Sequence, residues 1–148
     1  MALGESTPFW LRTATLGGSA INKARRAVVR LSVVRSEDPG AAVEAAGPAA
    51  IAVGKKRIDG EVYGNDPVAI RALVGTAAGA LVLGYVGDAA ANEKLTLKNA
   101  KFHSWLGQVE IPDPDNPGGT IAAWGAAFTC EWLSTDTLAL MWIVAADT

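Results

Sequence analysis

Side chains alternate between two faces from residue 120 to residue 132, and this pattern constrains the fold more than any other feature of the chain. A period of two is typical of a β-strand, because successive side chains of a strand point to opposite faces. One face of the run carries Ala122, Trp124, Ala126, Phe128, Cys130 and Trp132. The run is longer than a usual strand, so we expect a bend or bulge near Gly125. We predict that it forms a central antiparallel pair with an apolar strand at residues 138–145.

Shorter apolar or alternating runs predict further strands elsewhere in the chain. They cover residues 27–35, residues 50–53 with an extension to 63, and residues 80–86, 94–102 and 109–111. Only one helix is predicted, at about residues 66–74. The sequence Asn65-Asp66-Pro67 places a short acceptor side chain before a proline that suits the first helical turn, and Gly75 suits the end of the helix.

The order of these elements predicts a mainly β fold, an antiparallel β-sandwich or distorted barrel with one short flanking helix. The 148 residues divide into two parts. Residues 1–26 form an N-terminal arm, which lacks clean periodicity. Residues 27–148 form a single β domain with a long loop at residues 36–50. Half of the residues are hydrophobic, but many of these are alanine. Because small side chains bury little area, we expect Trp124, Trp132 and Trp142 to belong to the core.

The charges are few and unevenly distributed. The net charge is −2 and the isoelectric point is near 5.3, which argues against a general nucleic-acid binder. Residues 1–60 have a net charge of +4 and residues 61–148 a net charge of −6, which is compatible with self-association or with differently solvated surfaces. No signal peptide is expected, and the longest uncharged stretch, residues 72–87, is shorter than the ~20 residues of a membrane-spanning helix.

The sequence contains no recognisable combination of catalytic or metal-binding residues. One Cys and one His exclude a disulfide scaffold and the usual Cys/His zinc site. We interpret His103 as a hydrogen-bonded structural or surface histidine and Cys130 as a small buried hydrophobe. We assign Asp113, Asp115 and Asn116 to a turn, because no glutamate follows at the distance that a calcium loop needs. We therefore expect no enzyme, no cofactor and no metal; a hydrolase would require His103 to act as a base.

Two places in the sequence are candidates for surface contacts. Trp10 lies in the arm, where it is placed to anchor on a neighbouring subunit. Lys55, Lys56 and Arg57 form a short basic run. Such a run is either a solvated face or a contact for phosphate or an acidic partner.

Three segments together carry a family resemblance. Residues 56–66 (Lys-Arg-Ile-Asp-Gly-Glu-Val-Tyr-Gly-Asn-Asp) lead into the predicted helix, and residues 95–102 (Leu-Thr-Leu-Lys-Asn-Ala-Lys-Phe) form a strand after it. Residues 114–129 combine the turn Pro-Asp-Asn-Pro-Gly-Gly with the strand Thr-Ile-Ala-Ala-Trp-Gly-Ala-Ala-Phe-Thr. In these segments the chain resembles the tail tube proteins of tailed bacteriophages and related contractile machines. The resemblance covers about residues 27–145.

The resemblance implies a virion structural protein, made in the host cytoplasm, that forms stacked hexameric rings of a tail tube. The implied partners are other copies of the chain, other tail proteins and DNA that passes without specific binding, with no membrane and no cofactor. It also implies that the arm and the loop at residues 36–50 contact neighbouring subunits. The interface residues that follow from this are Trp10, Val43, Pro48, Lys55, Lys56 and Arg57.

Two alternatives stay open at this point. The alanine-rich loop is less polar than we expect for a tube lumen or exterior, which leaves room for a tail terminator, neck or baseplate ring protein of the same fold. A protein of another class, a small monomeric β-barrel, would bind an apolar ligand between its tryptophan-bearing sheets.

Overall fold

A computed structural model describes residues 6–37, 51–86, 91–113, 115–133 and 135–147; at residues 6–9, 33–37 and 51–56 it describes the backbone. This part of the chain forms nine strands: β1 (Ser6–Trp10), β2 (Thr13–Leu16), β3 (Ser19–Ala20), β4 (Ala24–Glu37), β5 (Ile51–Gly64), β6 (Gly79–Val86), β7 (Asn92–Pro112), β8 (Thr120–Cys130) and β9 (Trp142–Ala146). It also forms two helices, α1 (Pro67–Leu73) and α2 (Leu138–Met141).

The strands pair antiparallel throughout and form one sheet. Along the hydrogen-bonded path their order is β1, β4, β5, β8, β7, β6, β2 and β3, and the path does not close on itself. The long strand β7 organises the sheet, since β6 and β9 flank its first half and β8 flanks its second half. The predicted fold class, mainly antiparallel β with α1 as the short flanking helix, is confirmed.

The core lies against one face of this sheet, as the period of two in β4 and β8 predicts. Val29, Ile58 and Phe128 point into it and are at most 1% exposed. The rings of Phe102 and Phe128 meet across β7 and β8 with their centroids 5.3 Å apart and their planes tilted by 57°. A tilted aromatic pair of this kind adds about 1 kcal/mol to the stabilisation from area burial alone.

Helix α1 begins where the sequence predicts. The Asp66 Oδ1 accepts a hydrogen bond from the backbone N–H of Val68 at 3.1 Å, and Asn22 donates to the other carboxylate oxygen at 2.8 Å. These hydrogen bonds, with that from Asn22 first, hold the pKa of Asp66 below its usual value. The side chains of Ile70 and Leu73 are buried and attach the helix to the core. The predicted helix and its cap are therefore confirmed.

The predicted strands at residues 94–102 and 109–111 belong to one strand, β7, so the expected interruption between them is wrong. The register against β8 shifts between Phe102 and Ser104 and again between Trp105 and Gly107. Bulges of this kind disturb the alternation of side chains while the hydrogen bonding continues. The second shift lies opposite Gly125, so the irregularity expected near that residue is present in the pairing with β7.

The predicted pair of last strands also requires correction. Residues 138–141 form the helix α2, and the following strand β9 pairs with β7, not with β8. Cys130 at the end of β8 lies opposite Ala100, and Trp142 at the start of β9 lies opposite Leu97. Thus β8 and β9 follow the same edge of β7 one after the other. An apolar run without alternation does not distinguish helix from strand, which is why the sequence suggested a single strand.

The tryptophans contribute less to the core than expected. Trp124, Trp132 and Trp142 are only partly buried, and the last two pack against the edge of the core. The fully buried aromatic side chains are smaller ones, Tyr85, Phe102 and Phe128. A large indole seldom fits entirely within a core, particularly one that contains many alanines.

The described part of the N-terminal segment takes part in the sheet. Strand β1 pairs with β4, and β2 pairs with β6, at the two ends of the strand order. Ala14 and Leu16 of β2 are buried in the core. These three short strands escaped the sequence analysis because residues 1–26 contain no run long enough to show a period.

Candidate functional site

Ion pairs cover the face of β4 and β5 that points away from the core. The Arg30 Nε lies 3.3 Å from the Asp59 Oδ1, and the rest of the guanidinium pairs with the Glu61 carboxylate. The hydrogen bond that Arg30 donates to the Glu61 carboxylate is the main cause that raises the pKa of Arg30 above its usual value. The Arg57 Nε lies 3.3 Å from the Asp59 Oδ2. These half-exposed pairs each contribute at most about 1 kcal/mol, and they leave Arg57 engaged within the chain.

Trp10 lies at the end of β1 with 37% of its surface exposed. The guanidinium carbon of Arg26 is 5.6 Å from the centre of the ring. A cation in this position over an exposed indole stabilises by about 0.5–1 kcal/mol. Trp10, which the sequence analysis names as a candidate surface contact, is thus partly exposed, and Arg26 lies beside its ring.

A cleft that we call the basic cleft opens beside Trp10. It has a volume of about 440 Å³, and Trp10, Arg12, Lys23, Arg25 and Asn65 line it. Of the three cations only Arg12 forms an ion pair with a described residue, Asp147. The basic cleft therefore offers the side chains of Lys23 and Arg25 to an anion.

Backbone hydrogen bonds fix the position of the two unpaired cations. The N–H of Asn65 donates to the carbonyl of Lys23 at 3.0 Å, and the N–H of Leu11 donates to the carbonyl of Arg25 at 2.9 Å. Lys23 adopts a positive φ of 56°, which side chains other than glycine and asparagine seldom adopt. The end of β5, the end of β1 and the start of β4 therefore hold the basic cleft together.

The turn between β7 and β8 is acidic, and we call Asp113 with residues 115–119 the acidic turn. The Asp113 Oδ1 accepts a hydrogen bond from the N–H of Asp115 at 2.9 Å. The N–H of Asp113 donates to the carbonyl of Gly119 at 3.0 Å, and Gly118 has a positive φ of 84°. The assignment of these residues to a turn is confirmed. Asp113 and Asp115 form no ion pair with any residue that the structure describes.

Large aliphatic side chains are exposed near the end of the chain. Leu133, Leu140, Ile143 and Val144 are 58%, 50%, 43% and 48% exposed, and we call them the C-terminal apolar edge. Strand β9, which carries two of them, pairs only with β7 among the described strands. A sheet edge and four aliphatic side chains are thus available in one short segment.

An apolar groove of about 510 Å³ lies between α1 and the hairpin of β2 and β3. Leu16, Ile21 and Leu73 line it together with small residues, and no tryptophan is among its lining residues. The ligand site between tryptophan-bearing sheets that the sequence left open does not coincide with this groove.

His103 is exposed on β7 and forms hydrogen bonds to hydroxyl groups. Its Nδ1 lies 2.8 Å from the Ser104 Oγ, and its Nε2 lies 3.0 Å from the Thr129 Oγ1 of β8. A general base needs a partner that orients the ring and stabilises its positive charge, usually a carboxylate. Here a hydroxyl occupies that position, which agrees with the interpretation of His103 as a hydrogen-bonded surface histidine.

Cys130 is buried at the end of β8, as expected, with 3% of its surface exposed. Burial, with a smaller effect from Asp59, raises the pKa of its thiol to about 12. The thiolate is the reactive form, and it is very scarce at neutral pH when the pKa is this high. Cys130 is therefore a poor nucleophile in the folded chain.

We expect Cys130 in the folded protein to react with a disulfide reagent at pH 8 about a thousandfold more slowly than a free cysteine. The rate is measured by the absorbance of the released thiolate, with the protein unfolded in urea as the control that exposes the same residue. Reaction of the folded protein at the rate of the unfolded control would contradict the burial of this thiol.

The remaining predicted interface residues lie partly outside what the structure describes. Val43 and Pro48 fall in residues 38–50, outside the described residues. Lys55 and Lys56 lie on β5, and the backbone of Lys56 is paired with Val33. The cations that lie near Trp10 in the structure belong to residues 12–26 and are not the predicted ones, Lys55, Lys56 and Arg57.

Two general findings concern only the residues that the structure describes. They contain no group of three or more His, Cys, Asp or Glu side chains that could hold a metal ion. Neither of their helices has the length and hydropathy needed to cross a membrane.

Sequence reasoning identified Trp10 but not the basic cleft beside it. Trp10 and the cations near residue 25 lie fifteen residues apart in the sequence. The antiparallel pairing of β1 with β4 places Trp10 opposite Arg26. No local signal predicted that pairing, because β1 is five residues long and shows no alternation. Comparison of the chain with protein-family models and with curated protein sequences finds no match.

Proposed function

We propose that this chain is a virion structural protein whose copies assemble into rings that stack as a tail tube and conduct DNA. The resemblance of its segments to tail tube proteins suggests the setting, and the C-terminal apolar edge is the observation that carries the proposal. Assembly of copies explains why a chain with so many small side chains leaves large aliphatic ones in water.

The C-terminal apolar edge is unusual because it combines two features that isolated domains avoid. Exposed aliphatic side chains are common singly, but several in one segment indicate an interaction surface. One edge of β9 pairs with no described strand, and such an edge offers backbone groups for pairing with another chain. Ile143 and Val144 lie on opposite faces of β9, so both faces of this strand are incompletely covered.

The free energy gained by burying the C-terminal apolar edge is large enough to affect the association of copies. Covering a half-exposed aliphatic side chain contributes roughly 1 kcal/mol at ~25 cal/mol per Å². Four such side chains contribute roughly 4 kcal/mol, or about a thousandfold in a dissociation constant. A contact of this kind between copies leads to a closed ring when the rotation between neighbours closes.

The hairpin of β4 and β5 supports the same proposal. Strand β5 pairs with β8 only from Asp59 to Gly64, whereas its residues 51–57 pair with β4 alone among the described strands. One edge of β5 along residues 51–57 therefore pairs with no described strand, and we propose that it contacts a neighbouring subunit. The net charge of −6 in residues 61–148 suits a channel wall along which phosphates pass without binding.

The proposal is tested by light scattering coupled to size separation and by negative-stain electron microscopy. We expect concentration-dependent oligomers, with rings or short tubes in the images. A monomer at every concentration, with no rings, overturns the proposal. Single rings that never stack would favour the alternative of a terminator, neck or baseplate ring protein.

We expect the double substitution Leu140→Gln with Ile143→Thr to weaken assembly by about thirtyfold, because roughly 2 kcal/mol of apolar burial is lost. The new residues keep the helix and strand preferences of α2 and β9. The dissociation constant is measured by sedimentation velocity.

The matched control for this substitution is Val68→Thr. Val68 is 77% exposed on α1, outside the C-terminal apolar edge, so the loss of exposed apolar surface there should leave assembly unchanged. Equal weakening by both variants would show that assembly does not depend on the C-terminal apolar edge.

A further inference from the structure

Positive and negative charges are concentrated in different segments of this chain. In the folded structure these segments supply two surfaces of opposite charge. Residues 6–36 contain six Lys and Arg residues and no acidic residue. Residues 102–148 contain six acidic residues and no Lys or Arg. The first segment supplies the cations of the basic cleft, and the second supplies the acidic turn.

Some of these basic and acidic side chains form no ion pair with a described residue of the same copy. Arg12 pairs with Asp147, Lys98 with Asp136, and Arg30 with Asp59 and Glu61. Lys23 and Arg25 in the basic cleft form no ion pair with a described residue, and Lys23 acts on Asp66 only at longer range. Glu110, Asp113 and Asp115 at the end of the β7–β8 hairpin also form none.

The geometry explains why the two sets do not neutralise each other within one copy. Both lie at the same end of the sheet, since the Asn65 side chain in the basic cleft donates to the carbonyl of Ala122, close to the acidic turn, at 3.0 Å. However, the basic cleft is formed at β1 and β4, the acidic turn joins β7 and β8, and β5 lies between them. At ~4.8 Å per strand, the two sets are roughly 10–15 Å apart.

We propose that the acidic turn of one copy inserts into the basic cleft of the next copy. This inference rests on the proposed self-assembly and names the surfaces that meet. The two surfaces differ from each other, so a repeated contact between them is head-to-tail, which is the type of contact that closes into a ring when the rotation between neighbours closes. Asp115 and Glu110 pair with Lys23 and Arg25, and Trp10 lies beside them at the rim of the basic cleft.

A second copy suits the basic cleft better than a nucleic acid does. Nucleic-acid binders use many phosphate contacts, typically six to ten. Among the cations of the basic cleft, only Lys23 and Arg25 form no ion pair with a described residue, and the chain as a whole carries a net charge of −2. A short turn with two or three carboxylates matches this number of cations.

Charge reversal tests the contact. One variant carries Lys23→Glu with Arg25→Glu in the basic cleft, and the other carries Glu110→Lys with Asp115→Lys beside the acidic turn, where Asp113 is kept because its Oδ1 closes the turn. Each variant alone is expected to assemble at least about tenfold more weakly than the original chain, since attraction becomes repulsion. An equimolar mixture is expected to recover assembly, because every contact in an alternating arrangement again joins opposite charges.

The control is Arg71→Glu on α1 with Lys101→Glu on β7, two exposed residues, which changes the net charge by the same amount as the cleft variant does. It is expected to assemble as the original chain does, and circular dichroism checks that every variant is folded. Increasing the salt from about 0.1 M to 1 M, which shortens the screening length from ~10 Å to ~3 Å, should weaken the original assembly as well.

The outcomes separate this inference from the proposed function. If the original chain assembles and both charge-reversed variants assemble equally well, the contact is wrong while self-assembly stands. If the original chain is monomeric, self-assembly itself fails. If the cleft variant assembles normally but loses binding of a labelled single-stranded oligonucleotide, measured by fluorescence anisotropy, the basic cleft binds nucleic acid and the contact between copies is overturned.

Discussion

Removal of residues 1–20 is expected to abolish the cooperative thermal unfolding of this protein. The deletion takes away β1, β2 and β3, so that the hydrogen bonds of β4 to β1 and of β6 to β2 are lost. It also removes the buried side chains of Ala14 and Leu16 from the core. Losing a buried leucine alone costs about 2–5 kcal/mol, and the whole deletion costs at least roughly 5 kcal/mol. That is comparable to the entire stability of many domains.

The measurement is thermal unfolding followed by circular dichroism. Deletion of residues 1–5 is the control, because it leaves β1 and its pairing with β4 in place, and we expect it to keep the transition midpoint. A deletion of residues 1–20 that still unfolds cooperatively at the original midpoint would show that these strands are dispensable for the sheet.

Gly60→Ala is expected to destabilise the protein by about 3 kcal/mol, the upper end of the usual cost of overpacking. Gly60 lies on the core face of β5 between Val29 on β4 and Phe128 on β8. A Cβ at this position would lie 2.0 Å from the backbone oxygen of Val28 and 3.1 Å from the Phe128 Cζ. Because the first of these atoms belongs to the backbone, β4 itself must move. The thermal midpoint should fall by roughly 10 °C.

Gly118→Ala provides the comparison, since Gly118 has a positive φ of 84° but no atom within 4 Å of an added Cβ. This substitution costs only the backbone conformation, about 1 kcal/mol. Both variants are unfolded in urea at a protein concentration below that of assembly. If Gly60→Ala lost no more stability than Gly118→Ala, the close approach of β4 and β5 at Gly60 would be incorrect.

The elements that the sequence predicted correctly are those with a local signal. Alternation over many residues identified β4 and β8, and the acceptor side chain of Asp66 before a proline identified the start of α1. Where the signal was disturbed, the predictions were wrong. The bulges near Phe102 and Trp105 concealed the continuity of β7, and the evenly apolar run from residue 138 onward concealed the change from α2 to β9.

The candidate site could be predicted only in parts. The acidic turn follows from the sequence, because Pro, Gly and Asp residues together indicate a turn. Trp10 also stands out in the sequence as a candidate surface contact. The ion pairs of Arg30 with Asp59 and Glu61 could not be foreseen without the register of β4 against β5. Lys55 and Lys56 were chosen as a basic run, whereas the cations that share a cleft come from residues 12–25.

The sequence by itself determined that this chain forms an antiparallel β fold with one capped helix, because alternation and capping depend on neighbours in the chain. It also determined the segregation of charge between residues 6–36 and residues 102–148. Only the tertiary structure decided that β1 pairs with β4 and that β8 and β9 share one edge of β7. It also decided that two cations beside Trp10 form no ion pair with a described residue. These features depend on which distant strands pair and in which register. Contacts between residues far apart in the sequence stabilise one pairing over the others, and local sequence patterns do not reveal such contacts.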